Sequence, residues 1–171
     1  LVPIGDKLLF QQYKYCLNIG GFANLSIKSN NSIKAFDICP ANIALNFYCR
    51  KLGTEFDNGG EISRSGNMIK SLFNELNKIQ FYSSNSPKSL SREWLERNFL
   101  TKVSSSFKVI DILRTIVEHI AFQIGTNLKS QKTLVTWGGA KNKFLMDRIC
   151  DFSSSEIIIP SNELIDFKEA M

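Results

Sequence analysis

Apolar and polar positions follow two periods along this chain. Tyr15–Ile19 and Phe22–Ile27 are short runs of strand type separated by Gly20-Gly21, and Ile33–Ile38 is a third. Between the second and third, Ser29-Asn30-Asn31-Ser32 is a turn cluster. The period then lengthens. Asn42–Leu52 carries Ile43, Leu45, Phe47, Tyr48 and Leu52 at helical spacing, with Pro40 before it and Gly53 after it. Phe56–Gly60 reads as a loop, Met68–Ile79 as a second amphipathic helix, Phe81–Leu90 as a Ser-rich loop and Ser91–Phe99 as a short helix with Ser91 as N-cap. Ser106–Leu128 repeats apolar residues every three or four positions and predicts one long helix. Thr133–Trp137 is a continuous apolar strand that Gly138-Gly139 turns into a helix over Asn142–Cys150. Glu156–Ile159 and Asp166–Met171 predict a last strand and the start of a last helix. The lead-in Leu1–Gln12, with Pro3 and Gly5, reads as loop and turn.

Three strands in a meander, followed by helices and then strand, helix, strand, helix, predict an α/β fold. The expected architecture is a five-stranded mixed sheet with helices on both faces. That order resembles the ribonuclease-H-like half of the actin, Hsp70 and sugar-kinase superfamily.

Composition narrows the classes. The hydrophobic fraction of 43% is that of a globular chain, and 171 residues suffice for one domain with a core. Net charge is +5, but Lys and Arg are scattered, so no nucleic-acid partner is expected. No apolar run has membrane-spanning length, so no membrane partner is expected either. Cys16, Cys39, Cys49 and Cys150 lack C-x-x-C spacing. They argue for free thiols in a reducing compartment, with the cytoplasm as expected location, and against a zinc site. His119 stands alone on the long helical pattern. The chain opens on L-V-P-I-G and stops on K-E-A-M, as expected of a piece of a longer protein.

The candidate chemistry lies in the two glycine pairs. Gly20-Gly21 between two strand patterns predicts a tight hairpin, since glycine adopts positive φ at little cost. Without Cβ atoms, such a turn also lets an anion approach its N–H groups. Gly138-Gly139, between a strand and a helix, suits either a plain turn or a loop under a nucleoside.

The detailed resemblance is to the anhydro-N-acetylmuramic acid kinases. It rests on seven blocks in order: Leu1-Val2-Pro3; Leu17 to Ser26 (L-N-I-G-G-F-A-N-L-S); Ala35 to Asn42 (A-F-D-I-C-P-A-N); Phe56-Asp57 with Gly60; Pro87 to Glu93 (P-K-S-L-S-R-E); Gly138 to Asn142 (G-G-A-K-N); and Ile165 to Ala170 (I-D-F-K-E-A). The resemblance implies an enzyme that uses ATP, with Mg²⁺, to open and phosphorylate 1,6-anhydro-N-acetylmuramic acid during peptidoglycan recycling. It implies nucleotide contacts at Gly20, Gly21, Asn24, Gly138, Gly139 and Asn142. It implies substrate or cleft roles for Asp37, Asn42, Lys88, Ser89, Arg92 and Glu169. For each, a structural role stays open: turns for the glycines, helix caps for Asp37 and Asn42, solvated loop for Lys88, Ser89 and Arg92, exposed helix for Glu169. Asp57 and Gly60 are expected to be structural.

Residues 1–171 match the family's C-terminal half. The resemblance implies that the catalytic aspartate lies in an N-terminal half, which would be this chain's first partner, and that the fragment alone is inactive. A homodimer and the identity of any metal ligand are left open. The family often reads F-D-T-G-P-G-N where this chain has Phe36 to Asn42, and three glycines where it has Trp137-Gly138-Gly139; Ser91 replaces a usual Gly. Trp137 would either pack on the nucleoside or narrow its pocket. Two other readings stay open: a related sugar or acetate-type kinase, and a non-catalytic partner-binding domain on the same fold.

Overall fold

The computed structural model describes residues 2–29 and 32–170, with the side chains of Val2, Asp166, Glu169 and Ala170 outside the described set. Helix α1 (Val2–Leu9) leads into strands β1 (Tyr15–Ile19), β2 (Phe22–Lys28) and β3 (Ile33–Pro40), an antiparallel meander. Asn30 and Asn31 of the expected turn cluster lie outside the described residues. Helix α2 (Asn42–Arg50) follows β3, and a 3₁₀ turn at Asn58–Gly60 opens α3 (Glu61–Ser65) and then α4 (Lys70–Asn77). Helix α5 (Arg92–Trp94) runs into a π turn at Leu95–Phe99, and α6 (Val109–Asn127) is the long helix. Strand β4 (Lys132–Thr136), α7 (Lys143–Phe152), β5 (Glu156–Ile158) and α8 (Asn162–Ala170) complete the order.

The sheet order is β3-β2-β1-β4-β5, with β1–β4 and β4–β5 parallel. This is the expected mixed sheet, and β1 is buried along its whole length at the centre. Side chains alternate across it. Tyr15, Leu17 and Ile19 join the main core with Leu113, Ile116, Ile120 and Ile124 of α6 and with Leu145 and Ile149 of α7. Cys16 faces the other side, in a small cluster with Phe10 and Leu134 against Leu164 of α8. On the main side, α6 and α7 are clamped through Glu118, whose carboxylate lies 2.9 Å from both Arg114 Nε and Arg148 Nε.

The lead-in is a helix, not the expected loop. Pro3 sits in the first helical turn, where its missing N–H costs nothing. The helix is held from below: Lys28 Nζ donates to the carbonyls of Asp6 and Phe10. Ser91 caps its helix as expected, accepting from Trp94 N at 3.2 Å. No described helix is long and apolar enough to cross a membrane. Cys16, Cys39 and Cys49 are buried free thiols, and Cys150 is exposed.

Candidate functional site

Parallel pairing of β1 with β4 brings the two glycine turns side by side. Asn18 lies opposite Thr136, and Gly20-Gly21 follows β1 directly while Gly138-Gly139 follows β4 after Trp137. The hairpin turn is not built as expected. Neither Gly20 nor Gly21 has positive φ; among glycines that conformation occurs at Gly53, Gly59 and Gly60. The turn instead spends its carbonyls on the next helix: Gly21 O accepts from the N–H groups of Ala41 and Ile43, and Gly20 O from that of Asn42. These bonds satisfy donors at the α2 N-terminus that no side chain caps.

The four glycines fall into two kinds. A Cβ at Gly20 would stand 2.6 Å from Trp137 Cε3, and one at Gly139 would stand 2.6 Å from Ile19 Cβ and 2.8 Å from its carbonyl oxygen. Both are buried and forced by packing of one turn on the other. A Cβ at Gly21 would come no nearer than 3.7 Å, to Ile43, and one at Gly138 no nearer than 3.8 Å, to Asn42 Nδ2. Neither packing nor backbone conformation demands glycine at these two positions.

Gly21 and Gly138 border two adjoining cavities along α2 that share Asn42 and Asn46, and together these are the groove. On one side of Asn42 and Asn46 is a cavity of about 360 Å³ that includes Gly21, Arg50 and Trp137. On the other is one of about 400 Å³ that includes Phe56, Gly138, Lys141 and Asn142. Asn42 stands between the turns, its amide donating to Ile19 O at 3.3 Å. Asn142 caps α7, accepting from Leu145 N at 2.9 Å, and also lines the groove. The Asp57 carboxylate accepts from the N–H groups of Ile62 and Ser63, at 2.8 and 2.9 Å, and so caps α3 and fixes the groove floor. Gly60, at φ 80°, is the close contact that seats this loop on Asn142 and Phe144.

Trp137 is the departure that matters most. It is the one described non-glycine residue with positive φ, at 74°, a conformation that costs on the order of 1–3 kcal/mol. Its ring lies over Gly20, and its indole N–H is buried without an acceptor. A glycine at this position would adopt that backbone without strain.

The remaining candidates lie elsewhere. Asp37 is within β3 rather than at its end and caps no helix; its Oδ2 accepts from Leu90 N at 2.7 Å, and its N–H donates to Lys88 O at 2.9 Å. Burial pushes its pKa up, and the Leu90 bond opposes that. The Lys88 ammonium donates to Phe81 O at 2.8 Å, with its pKa pushed down by burial. Arg92 pairs with Glu96 at the surface, 3.1 Å away, and Ser89 is exposed. Lys88 and Ser89 belong to a loop docked on Asp37 at the β3 edge, Arg92 opens the helix after it, and none of the four lines the glycine groove. Asn24 accepts from Asn18 Nδ2 at 3.0 Å and turns away from the groove. The Glu169 side chain lies outside the described residues. Asn46, Phe56 and Lys141 also line the groove; the i, i+4 spacing of Asn42 and Asn46 on one helix face is the sequence signal for the first, and Phe56 and Lys141 fall within the motif blocks.

A family model described as anhydro-N-acetylmuramic acid kinase matches residues 1–171. The chain belongs to the anhydro-N-acetylmuramic acid kinase family. A relative of that name from Pseudomonas syringae pv. syringae is 34% identical over 166 residues, covering 88% of this chain and 45% of its own length. The chain thus spans about half the length of the kinases it matches. Among solved structures, the activator of the 2-hydroxyisocaproyl-CoA dehydratase from Clostridium difficile, with bound ADPNP, superposes with a TM-score of 0.57 at 16% identity, over 94% of this chain and 58% of that one. Xylulose kinase from Rhodospirillum rubrum gives 0.51 at 10% identity, over 93% and 37%. These likenesses show the fold: one ribonuclease-H-like unit of the actin-like ATPase and sugar-kinase type.

Proposed function

We propose that this chain is the nucleotide-binding C-terminal half of a kinase acting on 1,6-anhydro-N-acetylmuramic acid. Water adds at C1, the bond from C1 to O6 breaks, and O6 takes the γ-phosphoryl group of ATP, leaving ADP and N-acetylmuramic acid 6-phosphate. The observation that carries the reading is the pair of glycines, Gly21 and Gly138, that packing does not require. They border adjoining cavities that share Asn42 and Asn46 in a chain of this family, and a backbone without Cβ is what close approach of a phosphate or nucleoside needs. ATP fits the residues present. Gly21 would border its phosphates, while Gly138, Asn142 and the exposed ring of Phe56 would border the nucleoside, with Asn42 between. No three His, Cys, Asp or Glu side chains gather among the described residues. Mg²⁺ would then be held chiefly by phosphate oxygens and water, as this ion commonly is.

The doubled length of the relatives supports a further half beside this one, and the catalytic aspartate is proposed to lie there. Ile4, Leu8 and Leu9 on α1 and Phe167 on α8 are more than half exposed, an apolar surface suited to that partner. The loop carrying Lys88, Ser89 and Arg92, with Asp37 beneath it, and Glu169 on α8 are proposed to face the sugar or that half. A second reading, a non-catalytic domain, is favoured by one observation, the strained Trp137 over Gly20.

Titration with MgATP separates the two. Trp137 is the sole tryptophan in a Trp94→Phe variant, so its emission reports the hairpin turn. Emission should shift with weak affinity, and Gly21→Ala should weaken the response about tenfold, equivalent to 1.4 kcal/mol. No shift at millimolar MgATP would sink the kinase reading for this half.

A further inference from the structure

The face of the sheet away from the main core holds a polar cluster where apolar packing is expected. Lys168 of α8 and Asp6 of α1 are both fully buried, with Lys168 Nζ 2.6 Å from Asp6 Oδ1. The ammonium also donates to Asn18 Oδ1 at 2.8 Å and to Thr136 Oγ1 at 3.2 Å. Thr136 Oγ1 donates in turn to Asn18 Oδ1 at 2.7 Å. Asp6 Oδ2 has no donor.

Burying such a pair is a poor way to gain stability, because desolvation costs as much as the attraction returns. Its position supplies another use. Asn18 stands two residues before Gly20, and Thr136 two residues before Gly138. One ammonium therefore reaches the root of each glycine turn and, through Asp6, helix α1. Both roots have polar side chains at this depth, and both direct oxygen atoms to the same nitrogen.

We infer that Lys168 is a positioning residue: it sets the two glycine turns relative to each other and ties them to the packing of α1 against α8. The inference rests on the nucleotide reading for its consequence, since the turns border the groove, but not for its geometry. Movement of α1 or α8 shifts the ammonium, and the ammonium carries both turns with it.

Melting temperature and amide exchange test this together. Lys168→Met alone leaves Asp6 buried without its cation and should lower the melting temperature. Asp6→Leu combined with Lys168→Met replaces the pair by apolar groups and should recover most of that loss. In the recovered protein the amides of Ala41, Asn42, Ile43, Ala140 and Asn142 should still exchange about tenfold faster than in the unaltered chain, while α6 keeps its protection. Those amides are bonded to the carbonyls of Gly20, Gly21, Trp137 and Gly139, so they read the turns directly. Unaltered exchange at all five overturns the inference, and so does faster exchange spread through α6. Thr136→Val keeps the ion pair and decides the matter if the double variant does not fold. It should speed exchange at Ala140 and Asn142, and normal protection there overturns the inference. MgATP binding by the recovered double variant should be about tenfold weaker. If the unaltered chain binds no MgATP, the nucleotide reading alone fails, and amide exchange still decides the coupling.

Discussion

Alanine at Gly139 would put its Cβ 2.6 Å from Ile19 Cβ and 2.8 Å from the Ile19 carbonyl, inside a turn packed on both sides. Such overpacking costs about 1–3 kcal/mol, so Gly139→Ala should lower the Tm by several degrees. Gly138→Ala meets nothing nearer than 3.8 Å and should leave the Tm almost unchanged. Its effect should appear instead as a weaker MgATP response, by about tenfold if the nucleoside lies against that backbone. Thermal melting and titration of the two variants give this contrast directly. Equal loss of Tm in both would show that the pair is simply a turn. At this scale the sequence is ambiguous for a physical reason. A Gly-Gly pair looks the same whether packing, positive φ or a ligand requires it, and only the neighbours of each missing Cβ tell them apart. Gly21 shows it well: a tight hairpin predicts positive φ there, and the backbone has none, nor does an added Cβ meet anything nearer than 3.7 Å.

His119 is the clearest lesson at the scale of elements. It lies at the centre of α6, fully buried, with Nδ1 2.8 Å from Asn77 Oδ1 and Nε2 3.0 Å from the Tyr82 hydroxyl. Asn77 Oδ1 also accepts from Gln123 Nε2, so it acts as acceptor and Nδ1 carries the proton of a neutral ring. Burial lowers the His119 pKa from 6.5 to about 3. Below pH 6.5 the unfolded chain binds a proton that the folded chain excludes. The stabilisation is therefore complete above pH 6.5 and is lost as pH falls towards 3, at about 1.4 kcal/mol per pH unit. His119→Gln should remove that slope. Urea unfolding at pH 7 and pH 5 should show the unaltered chain losing about 2 kcal/mol more than the variant. Equal losses would mean that the ring protonates in place. The raised pKa of Asp37 acts in the opposite direction but is common to both proteins. Sequence showed His119 as solitary because Asn77 and Tyr82 are 42 and 37 residues away. Long periodic segments such as α6 and the strand meander were legible, since their own apolar spacing specifies them. Helix α1 was not: Ile4, Leu8 and Leu9 face outward while Asp6 faces in, the reverse of an ordinary amphipathic helix. The grouping of Asp37, Lys88 and Leu90 also escaped, because it depends on a loop docking across the edge of the sheet.

At the scale of the whole molecule, the sheet divides into parts of different reach. The meander closes locally, whereas Asn18 and Thr136 meet across 118 positions. Such distant closure costs chain entropy that local hairpins avoid. The groove exists only once that closure is made, because one of its glycine turns hangs on β1 and the other on β4. Assembly therefore has an order in time. Far-UV circular dichroism should recover early on refolding as α6 and the meander form. Trp137 emission, in the Trp94→Phe background, should recover later, when the ring finally settles on Gly20. Stopped-flow traces with a single shared rate would contradict that order. If the order holds, a ligand captured by this groove recognises only chains that have completed their slowest step, so binding becomes a proofreading signal for folding.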